Sequence, residues 1–426
     1  MLKSFSAKQY RNLNIKRLSF GKLNVVIGPN NSGKSNFIDA ISFLSNVMIN
    51  EKKANDSDYQ TSFLNEIEKR GWNDVLDRRV KKPNTIDLNW VLSTFENLSP
   101  LEYNLKFYLP SDDHIPPDGY KITLEKLKYE KPKPGQLAPF EFISCHGTNP
   151  GKGRFSVKKR SEQENAKNAY LDVSDQDTVF NQLDTLLENE IFRIDLYPNF
   201  KRTATHVRDF FTRFRSYSST NFNLTEIKRP IKASLQSNYL NQNGSNFLNV
   251  LMYLDKKYSF LPQYCILLKE LIKELNEISI EKTDDNFHYL KLTINGEHFK
   301  LAEMSDGTIK MMLFALILWT PEKYSLLSLD EPELNTHPAW LKILANWIKR
   351  SSSSDQIFVS SHSPDLLDGF TDYFVDGSLS LFVFNSNTNN QVELVTPNML
   401  QEQLNEGWEL GDLYRIGEPL LGGWPW

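Results

Sequence analysis

Cysteine is nearly missing from this chain: Cys145 and Cys265 are the only two in 426 residues. Neither sits in a C-x-x-C pair, which excludes zinc and redox motifs, and a lone distant disulfide is not expected, so the chain reads as cytoplasmic. No apolar run reaches the ~18 residues of a membrane span. The opening Met1-Leu2-Lys3-Ser4-Phe5 lacks a charged segment followed by an apolar core and a cleavage site, so no secretory leader is expected. The net charge of −4 gives no global positive field, and any nucleic-acid contact must come from a local patch. There is no internal repeat, and no heptad run is long enough for an extended coiled coil. What remains has the hydrophobic content (40%) and charge content (24%) of an ordinary globular chain, long enough for one large domain with an insertion or for a few smaller ones.

The pattern of what is present changes along the chain. Leu23-Asn24-Val25-Val26-Ile27 is short, apolar and rich in β-branched residues, as a buried strand should be. Phe37, Ile38, Ile41, Leu44, Val47 and Met48 then recur at helical spacing. From about 84 to 160 the chain alternates, as in Thr85–Leu92, Tyr103–Leu109 and Tyr120–Leu124, with polar Pro-rich loops between, which predicts an antiparallel sheet. From about 174 to 280 apolar stripes at helical spacing dominate: Val179, Phe180, Leu183, Leu187 and Ile191 after a Ser174 cap; Phe247, Val250, Leu251 and Leu254; and Leu267, Leu268, Leu271, Leu275 and Ile278. Such stripes most simply make core. After 309 the pattern returns to α/β: a helix over Ile309–Trp319, a strand over Ser325–Leu329, a helix lined by Trp340, Leu341, Leu344, Trp347 and Ile348, and a strand at Ile357-Phe358-Val359. Ser351–Ser354 and Asn385–Asn390 read as polar turns.

The chemistry concentrates in a few short segments. Gly28-Pro29-Asn30-Asn31-Ser32-Gly33-Lys34-Ser35, followed by Asn36, fits G-x-x-x-x-G-K-[ST] between a strand and a helix. In that context the backbone N–H groups wrap phosphates, Gly33 permits close approach, Lys34 reaches the β- and γ-phosphates, and Ser35 offers a hydroxyl to Mg²⁺. Far down the chain, Asp330 ends an apolar strand, where a carboxylate can hold Mg²⁺. Glu331 follows and can take a proton from, or orient, an attacking water. A bare Asp-Glu after an apolar run is common on surfaces; its weight comes from its companions. His362 ends the next apolar strand, where an imidazole could contact a γ-phosphate or simply close a turn before Pro364. Met304-Ser305-Asp306-Gly307-Thr308 precedes a helix: Ser305 can cap it, and Gly307 lets backbone approach a ligand.

The order of these segments resembles the ABC-type ATPase superfamily. The resemblance implies an α/β fold, an ABC-type ATPase head with a mixed central sheet, an antiparallel β subdomain and a helical insertion. The expected divisions are 1–165, with phosphate loop and β subdomain; 166–290, the helical insertion; and 291–426, with the signature, the Asp330 strand and the switch histidine. It further implies that ATP·Mg²⁺ binds, that Ser35 and Asp330 hold the metal, and that Glu331 and His362 are catalytic. Ser305, Gly307 and Thr308 would act in trans on a nucleotide held by a second subunit. Asn335 and His337 would line the subunit boundary of a homodimer or higher even oligomer. No glutamine can be placed in the Q-loop role.

The Gly-Pro-Asn-Asn-Ser-Gly-Lys-Ser loop, the Leu2-Lys3-Ser4-Phe5 … Tyr10-Arg11-Asn12-Leu13 opening and Glu331-Pro332-Glu333-Leu334-Asn335-Thr336-His337-Pro338 resemble the SMC, RecF and OLD-like branch, with Thr336 where leucine is usual. Members needing a long coiled coil or a C-x-x-C zinc hook do not fit. No strand-borne Glu followed by Asp-x-Asp appears after His362, so no TOPRIM nuclease is expected. The remaining resemblance is to ATPase chains of bacterial anti-phage systems such as Septu and PARIS, including the Gly407-Trp408 … Gly411-Asp412-Leu413-Tyr414-Arg415 … Leu421-Gly422-Gly423 ending. It implies slow, regulated hydrolysis that controls a separately encoded effector, a nuclease or toxin, with no membrane partner. The alternative is a RecF/SMC-like ATPase acting directly on DNA in repair. For that reading Lys201, Arg202, Arg208, Arg213 and Arg215 interleave with Phe210, Phe211, Phe214 and Tyr217, while Lys158-Lys159-Arg160 and Arg78-Arg79 … Lys81-Lys82 are further basic runs. A transporter ATPase, or a self-sufficient nuclease, stands further off.

Overall fold

The alternating strands expected between 84 and 160 frame the first of two units. The computed structural model describes residues 1–49, 61–77, 85–95, 98–109, 120–149, 152–157, 169–182, 200–233, 238–385 and 391–422. One unit comprises Met1–Phe20, Ser35–Phe214 and Ser386–Gln391; the other comprises Gly21–Lys34, Arg215–Asn385 and Val392–Trp426. Among the described residues, no helix is long and apolar enough to cross a membrane.

In the first unit β1 (Leu2–Tyr10), β2 (Leu13–Ser19), β4 (Thr85–Leu92), β5 (Leu101–Tyr108), β6 (Lys121–Tyr129), β7 (Glu141–Asn149), β8 (Lys152–Val157) and β9 (Ala169–Val173) form one sheet in the order β2-β1-β4-β5-β6-β7-β8-β9. Every pairing is antiparallel. Strand β5 alternates buried and half-buried residues along its whole length, the mark of a sheet with one face on a core. The helix Lys34–Ile49 supplies that core. Trp90 donates its indole N–H to the Ile41 carbonyl at 3.0 Å, and the fully buried rings of Phe43, Phe63 and Phe107 lie 5.1–5.8 Å apart. Each such ring is worth about 1.5–3 kcal/mol when buried, against tenths for helix propensity, so packing holds this helix in place.

A buried acid lies in the same unit. Glu125 accepts from the Tyr103 hydroxyl at 2.6 Å and from Val179 N at 2.8 Å. Burial pushes its carboxyl from 4.5 up to about 7, with the two hydrogen bonds pulling the other way. The folded value exceeds the unfolded one, so the folded chain keeps the extra proton. The stability this gives is complete below pH 4.5 and is lost as pH rises to about 7. At 1.36 kcal/mol per unit the loss is about 3 kcal/mol. Thermal melts should therefore show Tm falling between pH ~5 and ~8, and Glu125→Gln should flatten that fall; equal slopes in parent and variant would refute it.

The second unit holds a six-stranded sheet. It comprises β3 (Leu23–Ile27), β10 (Phe214–Ser218), β15 (Leu326–Asp330), β16 (Ile357–Ser360), β17 (Leu379–Phe384) and β18 (Val392–Val395), in the order β10-β15-β16-β3-β17-β18. Strands β15, β16, β3 and β17 run parallel, and β18 is antiparallel to β17. All residues of β3 and β16 are buried, which is why these strands read as unbroken apolar runs. The helix Asp306–Trp319 is buried all round from Thr308 to Leu318. Helices Phe247–Tyr258, Leu261–Leu268 and Pro338–Arg350 pack in the same core. A smaller sheet pairs β11 (Ile231–Lys232), β13 (Phe287–Ile294), β12 (Leu275–Lys282) and β14 (Glu297–Lys300).

The described part of 166–290 is less helical than its stripes suggest. The stripe through Leu267 and Leu268 ends at Leu268, and Leu275 and Ile278 lie on β12. An i, i+3 pair is ambiguous at this length, and the pairing of β12 with β13 decided it. The stripe Phe247, Val250, Leu251, Leu254 is a helix, as expected. Of the stripe after Ser174, Val179 and Phe180 begin a helical turn, and Leu183, Leu187 and Ile191 lie outside the described residues.

Candidate functional site

Parallel register lines up the ends of three strands. Asp330 of β15 pairs with Ser360 of β16, and Ser360 pairs with Val26 of β3. The segments after these strands, Gly28–Lys34, Glu331–Asn335 and Ser361-His362, therefore leave one edge of the sheet, the carboxyl edge where open α/β sheets bind ligands. Motifs far apart in sequence meet because β16 lies between β15 and β3.

The Gly28–Ser35 loop turns through three left-handed positions: Gly28 (φ 141°), Asn31 (62°) and Gly33 (110°). Gly28 is required twice, by its φ and because a Cβ there would stand 2.4 Å from the Phe384 carbonyl oxygen. Pro29, Ser32 and Gly33 are buried, whereas Asn30, Asn31 and Ser35 are exposed. Lys34 Nζ donates to the Gly28 carbonyl at 2.8 Å and the Pro29 carbonyl at 3.0 Å. Burial lowers the Lys34 pKa, and the neighbouring carboxylates of Glu331, Asp330 and Glu333 oppose that shift. The lysine of the first motif is thus electrostatically joined to the acids of the second. The helix begun by Lys34 has no acidic residue in its first turn, so its N-terminal positive end is not offset locally. Asn36 donates to Asn12 Oδ1 at 2.8 Å and accepts from Arg11 Nη1 at 2.9 Å. These are the Arg11-Asn12 of the opening motif, whose partnership with Asn36 is invisible in sequence.

Ser360 organises the acids. Its hydroxyl donates to Asp330 Oδ1, and Glu331 N donates to both Ser360 O and Ser360 Oγ at 3.1 Å. Glu331 has φ 48°, a conformation costing a non-glycine residue on the order of 1–3 kcal/mol. The paired bonds to Ser360 hold it there. His362 Nδ1 lies 3.6 Å from Glu331 Oε1 and 3.5 Å from Glu333 Oε1. Glu333 is 7% exposed, and burial raises its pKa against the pull of bonds from His362 N and Ser361 Oγ. The Ser-Ser before His362 was the one sequence signal that could have marked this support.

The remaining motif residues each have a task within the chain. Ser305 Oγ caps its helix, accepting from Thr308 N at 3.2 Å and sharing a 2.8 Å bond with Thr308 Oγ1. Gly307 faces the carbonyl of Asn335, which would stand 3.1 Å from a Cβ. Asn335 itself has φ 59°. The segment Ser305–Thr308 and the loop after Glu331 thus touch within one chain, and the backbone admitted by Gly307 is that of Asn335. His337 Nδ1 accepts from Ala339 N at 3.2 Å, capping the helix Pro338–Arg350.

The basic and aromatic segment splits in two. Phe210, Phe211, Phe214 and Tyr217 are buried and unavailable for base stacking. Arg202 lies 3.8 Å from the ring centroid of Phe95, and Arg215 lies 4.4 Å from that of Tyr239. Lys201 and Arg213 are exposed. The interleaving expected to stack bases is, for its aromatic half, the buried face of the helix Phe200–Thr212 and of β10. The runs at 78–82 and 158–160 lie outside the described residues.

Comparison with known proteins bears on the family and the fold. Residues 23–368 match the family model described as "AAA domain, putative AbiEii toxin, Type IV TA system". The fold resembles that of the SMC head solved bound to the C-winged helix domain of ScpA, at 14% identity, with 94% of this chain and 99% of that chain covered and a TM-score of 0.50. The SMC head domain from Thermotoga maritima is also similar, at 12% identity, 93% and 98% coverage and a TM-score of 0.39. No curated protein matches. The architecture is that of an ABC-type ATPase head.

Proposed function

Since the chain belongs to the family of AAA domains described as putative AbiEii toxin, type IV TA system, we propose that it binds and hydrolyses ATP in a dimer of heads and thereby controls a separately encoded effector in a bacterial anti-phage complex. The observation that carries the ATPase reading is the meeting of Lys34 with Asp330, Glu331 and His362 at one edge of a parallel sheet.

The donor set fits a magnesium nucleotide. The left-handed positions of the loop suit a backbone that wraps phosphates, and Lys34 supplies the positive charge. Asp330 would hold the ion, and Ser35, the residue after Lys34, would supply the hydroxyl that phosphate loops give it. Mg²⁺, when bound, neutralises charge that develops on the phosphates. Glu331 takes the proton of the attacking water at its carboxylate, and His362, beside it, orients the group being transferred. Holding Glu331 at positive φ costs stability, and such strain is usually kept where function needs it.

Support for a partner protein comes from the SMC head, solved bound to a winged-helix domain of ScpA. Support for a toxic output comes from the family description. The alternative, direct action on DNA in repair, loses the stacking aromatics on which it leaned. The dimer is tested by mixing Ser305→Ala with Lys34→Ala, each inactive alone. If Ser305 serves the partner's nucleotide, each heterodimer regains one of its two sites, and random mixing restores about a quarter of the parent activity. No restoration would sink the trans arrangement.

A further inference from the structure

Glu333 is the acid that the proposed mechanism leaves unused. It sits two residues past Glu331, almost fully buried, and a buried carboxyl costs stability unless something requires it. Its bonds are specific. Oε1 accepts from the Ser361 hydroxyl at 2.8 Å and from His362 N at 2.9 Å, and lies 3.5 Å from His362 Nδ1. One oxygen therefore holds the hydroxyl before the histidine and the histidine's own backbone, and stands beside one edge of its ring, whose Nδ1 makes no hydrogen bond among the described residues. Ser361 Oγ in turn accepts from Ser363 N at 3.0 Å, which carries the restraint to both sides of His362. Among the described residues, Glu333 Oε2 has no hydrogen-bond partner and neither does the buried hydroxyl of Tyr414. Tyr414 comes from the Gly411–Arg415 segment, where Arg415 ties Asp412 (2.9 Å) to Asp368 (3.0 Å) on the helix that follows His362.

We infer that Glu333 is a positioning residue for hydrolysis: it fixes the Ser361-His362 turn so that the imidazole stands beside Glu331. This rests on the ATPase reading above. The role requires a hydrogen-bond acceptor at Oε1, which is what the Ser361 hydroxyl and His362 N both use. Glutamine preserves the acceptor, and its amide takes the place of Oε2.

The test measures ATP hydrolysis and ATP affinity in the full chain for the parent, Glu333→Ala, Glu333→Gln, His362→Ala and the Glu333→Ala/His362→Ala double variant. Glu333→Ala should lower kcat by about tenfold or more, since small misplacements near reacting groups are costly, while KM and ATP Kd change less than about threefold. Glu333→Gln should restore most of the rate, and the double variant should be no slower than His362→Ala, because groups acting through one another are not additive. Multiplying effects in the double variant would overturn the inference, as would a Glu333→Gln as slow as Glu333→Ala. If Glu333→Ala does not fold, Ser361→Ala removes one of the two bonds and takes its place in the same cycle: a double variant no slower than His362→Ala supports the inference, and multiplying effects overturn it. A parent that hydrolyses no ATP would overturn both the ATPase reading and this one; an active parent with additive variants would overturn this one alone.

Discussion

Lys34→Ala should abolish nucleotide binding. Asp330, Glu331 and Glu333 all act on this ammonium, and it would pair with the β- and γ-phosphates. A charge-assisted hydrogen bond to phosphate is worth about 1.5–3 kcal/mol, and leaving the surrounding carboxylates uncompensated adds repulsion toward an anionic ligand. Affinity should fall by at least about a hundredfold. The loop itself also loses the two bonds from Nζ to the Gly28 and Pro29 carbonyls, so its conformation should loosen as well. Isothermal titration with ATP and Mg²⁺ reads the affinity directly. A variant that binds ATP as the parent does would remove the loop from the site.

Glu331→Gln should have the opposite signature: binding kept, turnover lost. Glutamine fills the same space at φ 48° and keeps the backbone bonds to Ser360, so the turn should survive. What goes is the carboxylate proposed to take the proton from water. Loss of a general base lowers kcat by about 10²–10⁴. With hydrolysis blocked, ATP should accumulate on the protein and hold heads together, so size-exclusion chromatography with ATP should show a dimer that persists far longer than the parent's. Parent-rate hydrolysis by Glu331→Gln would rule out the assignment of the base. Binding without a dimer would leave the base in place and count against the clamp.

These two variants divide the site along the line between what is local and what is not. The phosphate loop was readable because its demands are local: left-handed glycines, a lysine and a helix start within eight consecutive positions. The strands β3, β15 and β16 were readable for a related reason, since burial on both faces excludes polar residues and leaves an unbroken apolar run. The antiparallel strands alternate because one face alone is buried. Where a stripe fitted two periods, at Leu275 and Ile278, sequence had no means of choosing, and pairing with β13 chose the strand.

The tasks of individual polar groups were not legible. Ser360 bonds to Asp330, and Glu333 to Ser361 and His362, only because β15 and β16 are neighbours in register; a sequence holds no record of which strands adjoin. Asn36, adjacent to the loop, reads as part of a phosphate site, and the fold engages its amide with Asn12 and Arg11. The aromatic residues between 210 and 217 alternate with arginines as a stacking surface would. Burial is a property of the surroundings, and the surroundings put those rings inside.

The amino-acid sequence by itself determined the class of this protein: an α/β ATPase head, with its phosphate loop, its acidic strand end and its strand-end histidine in diagnostic order. Tertiary structure decided what surrounds each of them. Backbone periodicity and special φ angles are encoded by a few consecutive side chains, so sequence carries them. The Ser360–Asp330 bond, the strained Glu331 turn and the Glu333 hold on His362 depend on long-range strand order, which only the packing of the whole core selects.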